Sequence, residues 1–283
     1  MTRPALRRIT HPGQPAQARD AALPCHARPV TLTLRAGTNV TQAITDALSQ
    51  AGIQAAYLCL DGAVLSALRF VIPAPAPGDG HAAWYSRTYA PAQPVRLLHA
   101  GVHAGWRDGA RFLHCHGLWD GAAPEPAMGH MLCPDSVLAE AYQATGWAIY
   151  GAALSVARDP ETEFSLFQPQ SVPVDTAQNA ILATLRPNQD IGQALERIAA
   201  RHGMENASIH GIGSLVGTCF QNGGDIDSYA TEILIRDGRV QTGKVALDVA
   251  SVGFDGVART GWLRPDVNAV CVTAELLLIK DRA

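Results

Sequence analysis

TLTLRAGTNVTQAITDALSQAGIQAAYLCLDGAVL, residues 31–65, lies over LATLRPNQDIGQALERIAARHGMENASIHGIGSLV, residues 182–216, without a gap. Leu34 pairs with Leu185, Arg35 with Arg186, Gln42 with Gln193, Ala43 with Ala194, Gly52 with Gly203 and Gly62 with Gly213, each pair 151 residues apart (185 − 34 for the first). Similarity at one fixed offset is the mark of a duplicated unit. Beyond it the register shifts but continues: HGLWDG from His116 answers SVGFDG from Ser251, and VLAEAY from Val137 answers VTAELL from Val272. The chain therefore reads as two tandem copies, residues 1–165 and 166–283, with RDPETEFSLFQPQSVPVDTAQ (158–178) at their boundary.

Within each copy the pattern is local. Alternation in PVTLTLR and ILATLR predicts a strand, and the following V-x-x-A-I-x-x-A-L and I-x-x-A-L-x-x-I spacings predict an amphipathic helix. Thr38 or Asn39, and Asn188 or Asp190, supply the helix N-caps, while Gly52 and Gly203 end the helices. The remainder is rich in strand patterns, so the expected class is α+β: in each copy a mostly antiparallel sheet packed with one main helix. The loop APAPGDGHAAWYSRTYAPAQP (74–94) exceeds its counterpart QNGGDIDSYAT (221–231), which points to a role at a site or an interface.

With 283 residues, 47% of them hydrophobic and 17% charged, the chain can bury substantial cores. The net charge is −3 and no basic cluster exceeds Arg7-Arg8, so a footprint for wrapping duplex DNA is missing and nucleic acid is not an expected partner. No stretch has the length or apolarity of a secretory signal or a membrane span, and the expected location is the cytoplasm. Six cysteines sit singly without CxxC spacing and read as reduced, mostly buried thiols.

Chemistry concentrates in RFLHCHGLWD, residues 111–120. On a strand His114 and His116 project from one face and Cys115 from the other. His130 follows after the Gly/Pro-rich stretch DGAAPEPAMG, which can fold the chain back beside the pair. Three imidazoles with an open fourth position suit zinc, and imidazole also suits iron, nickel or copper; hydrogen-bonded core histidines are the alternative. In the second copy Val249, Ser251 and Trp262 stand at the matching positions, so all three histidines are missing together from a scaffold that persists.

FLHCHG, MGHML and VLAEAY in the first copy, with SIHGIGSLVGT in the second, resemble the plants-and-prokaryotes-conserved (PPC) domain of bacterial type, over roughly residues 30–151 and 181–280. The resemblance implies a compact α+β fold, assembly as a homo-oligomer with a trimer favoured, and a divalent metal, usually taken as zinc, on His114, His116 and His130. The pattern is also similar to that of a group of zinc-dependent ester hydrolases. The first copy departs from the family, reading LDGAV from Leu60 where a GxGS-like motif is expected, while the second keeps Gly211, Gly213 and Ser214 without the histidines.

This complementarity suggests a shared pocket in which His210 and the GIGS amides act beside the metal, the alternative for GIGS being plain strand packing. Glu140 is a candidate general base, although Glu275 stands at the matching place and favours a structural role for both. His99, His103 and Arg87 are candidate substrate-binding residues, or ordinary polar positions of a strand and a loop; Asp120 reads as turn chemistry. The expected function is metal-dependent hydrolysis of a small ester, lactone or amide. A DNA-binding regulator or a non-catalytic binding module are the alternatives.

Overall fold

Asn39 and Asp190 set the two helices. Each lies in an extended conformation, and its side-chain oxygen accepts the N–H of the residue three further on, Gln42 at 2.8 Å and Gln193 at 2.9 Å. Helix α1, Val40–Gln50, buries Val40, Ala43, Ile44, Ala47 and Leu48; helix α2, Ile191–Arg201, buries Ile191, Ala194, Leu195, Ile198 and Ala199. Gly52 and Gly203 follow with φ of 66° and 64°, the left-handed conformation that stops a helix at least cost with glycine. The structure, a computed structural model, describes residues 6–92, 94–120, 128–173 and 176–281; most of the stretch expected to turn the chain before His130 lies outside the described residues.

Two sets of strands follow the same order. In the first, residues 26–34 of strand Asp20–Leu34 pair with Tyr142–Tyr150, followed by Ala55–Cys59, Val95–Arg107, Ala110–Trp119 and Met128–Met131, every neighbour antiparallel. In the second the order is Ala180–Leu185, Val270–Lys280, Ala207–Leu215, Thr231–Gln241, Lys244–Val252 and Arg259–Trp262, also antiparallel. Residues 20–25 of the first strand pair with Ala180–Leu185 and join the two sets.

The α+β class is therefore corrected. Strands account for 53% of the chain and helices for 9%, there are two α-helices among the described residues, and 17 strands form one large, mostly antiparallel sheet. The physical reason is coverage. An 11-residue helix is about 16 Å long at ~1.5 Å per residue, whereas the 13 residues of Val95–Arg107 extend about 44 Å at ~3.4 Å per residue. One helix cannot cover such a sheet. The uncovered apolar face packs instead against strands of the other half: Ile212, Leu234, Ala250 and Val252 share one core with Leu58, Val102 and Cys115. No helix among the described residues is long and apolar enough to cross a membrane.

This packing is expected to make the halves one cooperative unit. Leu234→Ala removes a side chain that is 2% exposed and is expected to cost about 2–5 kcal/mol, the range for truncating a buried leucine. Urea denaturation followed by circular dichroism should show a single transition at a lower midpoint. Two separate transitions, or an unchanged midpoint, would mean that the halves fold independently.

Candidate metal centre

His114 and His116 lie on Ala110–Trp119 and share a face, while Cys115 turns into the core, fully buried. Strand Met128–Met131 runs antiparallel beside them and sets His130 directly opposite His116 and Gly129 opposite Gly117. Glycine is needed at 129: a Cβ there would lie 2.5 Å from the Val71 carbonyl oxygen, so any side chain would push the strand away. The three rings converge, with centroids 4.8 Å apart for His114 and His130, 4.9 Å for His114 and His116, and 5.5 Å for His116 and His130. One nitrogen from each falls within 4.8 Å of the other two.

The outward nitrogens are held. His116 Nδ1 donates to the Ile233 carbonyl at 2.8 Å, which fixes the tautomer and leaves the Nε2 lone pair free. His114 Nδ1 lies 3.0 Å from Glu275 Oε2, and its Nε2 is buried without a hydrogen-bond partner. The Tyr85 hydroxyl is 3.4 Å from His130 Nδ1. Burial, with a smaller contribution from the neighbouring His114, holds His116 and His130 well below the usual histidine range. Both are neutral at neutral pH, the form that ligates metal.

Two acids complete the cluster, and both come from the second half. Glu275 is 1% exposed, and Glu232, 4% exposed, has Oε1 3.8 Å from His116 Nε2. Burial pushes the Glu232 carboxyl up to about 8, against the hydrogen bond from the His130 backbone N–H. Glu232 Oε2 is buried without a hydrogen-bond partner, and Glu275 Oε2 meets His114 Nδ1 as an ion-pair contact without the alignment of a hydrogen bond. Convergent imidazoles beside under-satisfied carboxyl groups fit a divalent cation: the nitrogens supply lone pairs, and the acids would supply compensating charge once ionised beside it.

The group forms the floor of a cavity of about 220 Å³. Gly213 and Ser214 line it; the Ser214 hydroxyl accepts the Val272 N–H at 2.9 Å. The other residues singled out by sequence lie elsewhere. Gly211 sits against the Glu275 backbone, where a Cβ would come within 2.2 Å of the carbonyl oxygen. The His210 ring packs on Trp147, 4.1 Å between centroids, outside the cavity, and burial lowers its pKa to about 4. His103 faces His114 across the strand pair but turns its Nε2 to the Glu275 carbonyl at 3.0 Å; burial brings it also to about 4. His99 is paired with Asp61 at 3.2 Å, Arg87 covers the Tyr89 ring at 4.7 Å, and the exposed Glu140 does not line the cavity. Sequence reasoning did not single out Glu232, and of the matched acids Glu140 and Glu275 it is Glu275 that lines this cavity.

No protein-family model matches the chain, and no curated protein matches it in sequence. Among solved structures it is similar to a metal-containing protein from Archaeoglobus fulgidus, with 20% identity over 52% of this chain and 97% of that one and a TM-score of 0.42. It is similar also to a plant- and prokaryote-conserved (PPC) protein from Pyrococcus horikoshii, with 12% identity, 52% and 96% coverage and a TM-score of 0.40. A third is a candidate DNA-binding protein from Ralstonia eutropha, with 20% identity, 49% and 89% coverage and a TM-score of 0.37. At these scores the likenesses assign no function to this chain.

If Glu275 orients His114, Glu275→Ala should weaken divalent-metal affinity about 10- to 100-fold, the usual effect of losing a carboxylate behind a ligating histidine. Competition against a chromophoric chelator measures this. Glu140→Ala serves as the control and should leave affinity unchanged; an unchanged affinity in Glu275→Ala would remove that residue from the site.

Proposed function

We propose that His114, His116 and His130 hold a divalent metal ion, zinc by the all-imidazole donor set, in an enzyme that hydrolyses a small ester, lactone or amide. The carrying observation is the convergence of three imidazole nitrogens within 4.8 Å on the floor of a cavity. Histidines kept only for packing have no reason to turn free nitrogens toward one another. When bound, such an ion supplies Lewis acidity, polarising a carbonyl and lowering the pKa of a water near it. Zinc, hydrolysis and the duplicated origin of the two halves all belong to this proposal.

The chain's own residues supply the rest. Water adds its oxygen to the carbonyl carbon, the acyl C–O or C–N bond breaks, and the proton given up by water ends on the leaving alcohol or amine. Glu232, with its carboxyl on the cavity wall, takes the proton-carrying role that sequence reasoning gave to Glu140. Glu275 keeps His114 in place. Ser214 and Gly213 close the side contributed by the second half. The shared pocket is accordingly proposed with Gly213 and Ser214, which line the cavity, and without His210 and Gly211, which do not.

Elemental analysis of purified protein should find about one zinc per chain, and the His114→Ala/His116→Ala variant should have lost it. Turnover of phenyl acetate should fall with the metal, and in Glu232→Gln by about 10²–10⁴-fold while the metal is kept. Equal metal in wild type and the double variant refutes the centre; a metal-loaded protein that cleaves no ester, lactone or amide refutes hydrolysis alone.

A further inference from the structure

The cavity above the histidines has a composition of its own. Phe167 stands 6.5 Å from the His114 ring, with Phe112 edge-on to it at 5.5 Å, and Tyr85 is edge-on to His130 at 5.3 Å. Farther out, Trp84 and Phe164 lie 5.8 Å apart, both backed by His81 at 4.8 and 4.9 Å. Trp84 is 40% exposed, which places it at the mouth. No lysine or arginine is among the described lining residues. Of the guanidinium groups near these residues, Arg87 lies over Tyr89, Arg186 bonds Asp159 at 2.6 Å, and Arg107 lies over the Phe112 ring at 5.4 Å with Asp108 3.9 Å away.

We propose that the ligand of this cavity is a small, uncharged molecule whose far end is a single aromatic ring or a branched alkyl group, stacked between Tyr85, Trp84, Phe164 and Phe167, with its carbonyl toward the histidines. This rests on the hydrolase reading above. An apolar or aromatic end gains from burial and from offset or edge-on ring contacts. A carboxylate or phosphate at that end would be stripped of water among rings, with two carboxyl groups on the floor and no lysine or arginine among the described lining residues to meet it. Size points the same way, since about 220 Å³ lies below the ~300–1,000 Å³ of sites for drug-sized ligands. The wall residues come from the first-half insertion and from residues 164–167 near the boundary, while the histidines come from the sheet.

Hydroxamates bind metal ions without being turned over, so they read the walls apart from catalysis. With zinc-loaded protein, isothermal titration should give benzohydroxamate at least about 10-fold tighter binding than acetohydroxamate, the gain expected from burying one ring. 4-Carboxybenzohydroxamate should lose that gain. Trp84→Ala and Phe164→Ala, both at the rim, should bring the benzo-to-aceto ratio toward one with zinc content unchanged. Equal affinities, tighter binding of the carboxylated probe, or no binding of any hydroxamate overturns the proposal. The two readings fail separately. A preserved ratio in a protein that cleaves no ester removes hydrolysis and keeps the ligand class; cleavage of 4-carboxyphenyl acetate or methyl acetate as fast as phenyl acetate removes the ligand class and keeps hydrolysis.

Discussion

Glu232 and Glu275 are the expensive residues of this protein. Each is at most 4% exposed and sits in the interior of a sheet whose neighbours are isoleucine, leucine and alanine. A carboxylate in such a place costs several kcal/mol unless charge and hydrogen bonds compensate it. The His130 backbone N–H at Glu232 and the Thr273 hydroxyl, 3.5 Å from Glu275, answer only part of that cost, and His116, beside Glu232, is kept neutral by burial. A divalent cation on the imidazole nitrogens satisfies acids and bases together. The same argument explains why the two halves must be joined closely: the imidazoles come from one half and the acids from the other, and the centre exists only while their strands are packed together.

That packing is achieved by backbone pairing and by shape. Strand Asp20–Leu34 belongs to both strand sets, pairing Tyr142–Tyr150 along one stretch and Ala180–Leu185 along another, so the halves cannot separate without breaking a continuous ladder. Strand Lys244–Val252 occupies, in the second set, the place that Ala110–Trp119 holds in the first. It carries Val249 in an apolar core and Ser251 in a buried hydroxyl chain with Thr218, 2.7 Å away, itself 2.8 Å from Thr231. Valine and a bonded serine satisfy that position fully. Imidazoles are therefore not what this strand needs in order to fold.

Much of this was open to reading from residue patterns, and the rest was not, for identifiable reasons. Helix starts at Asn39 and Asp190 depend on side chains next to the backbone they cap, and the shared face of His114 and His116 follows from strand alternation alone. Such local geometry survives in the sequence. The pairing of residues 20–25 with residues 180–185 leaves no trace in either segment, and that pairing turned an expected α+β arrangement into one large sheet. The same holds for the acids: Glu232 and Glu275 reach the histidines across more than a hundred residues of chain. Glu140 was chosen because it stands near the histidines in the sequence, yet it is exposed, whereas the residue set level with it, Glu275, faces His114.

Framework and walls also answer to different constraints. The histidines, the two acids and Gly129 are fixed by sheet register and close approach, so changing any one disturbs pairing or leaves a buried polar group without its partner. Trp84, Tyr85 and Phe164 are placed by a two-stranded hairpin and a turn that sit outside the large sheet. On the ligand class proposed above, substitution there would alter what the cavity accepts without altering how the sheet closes. On that reading a fold built this way would hold its chemistry constant while its ligand preference is free to change, because the energies that fix the centre and those that would select the ligand are carried by different elements of the chain.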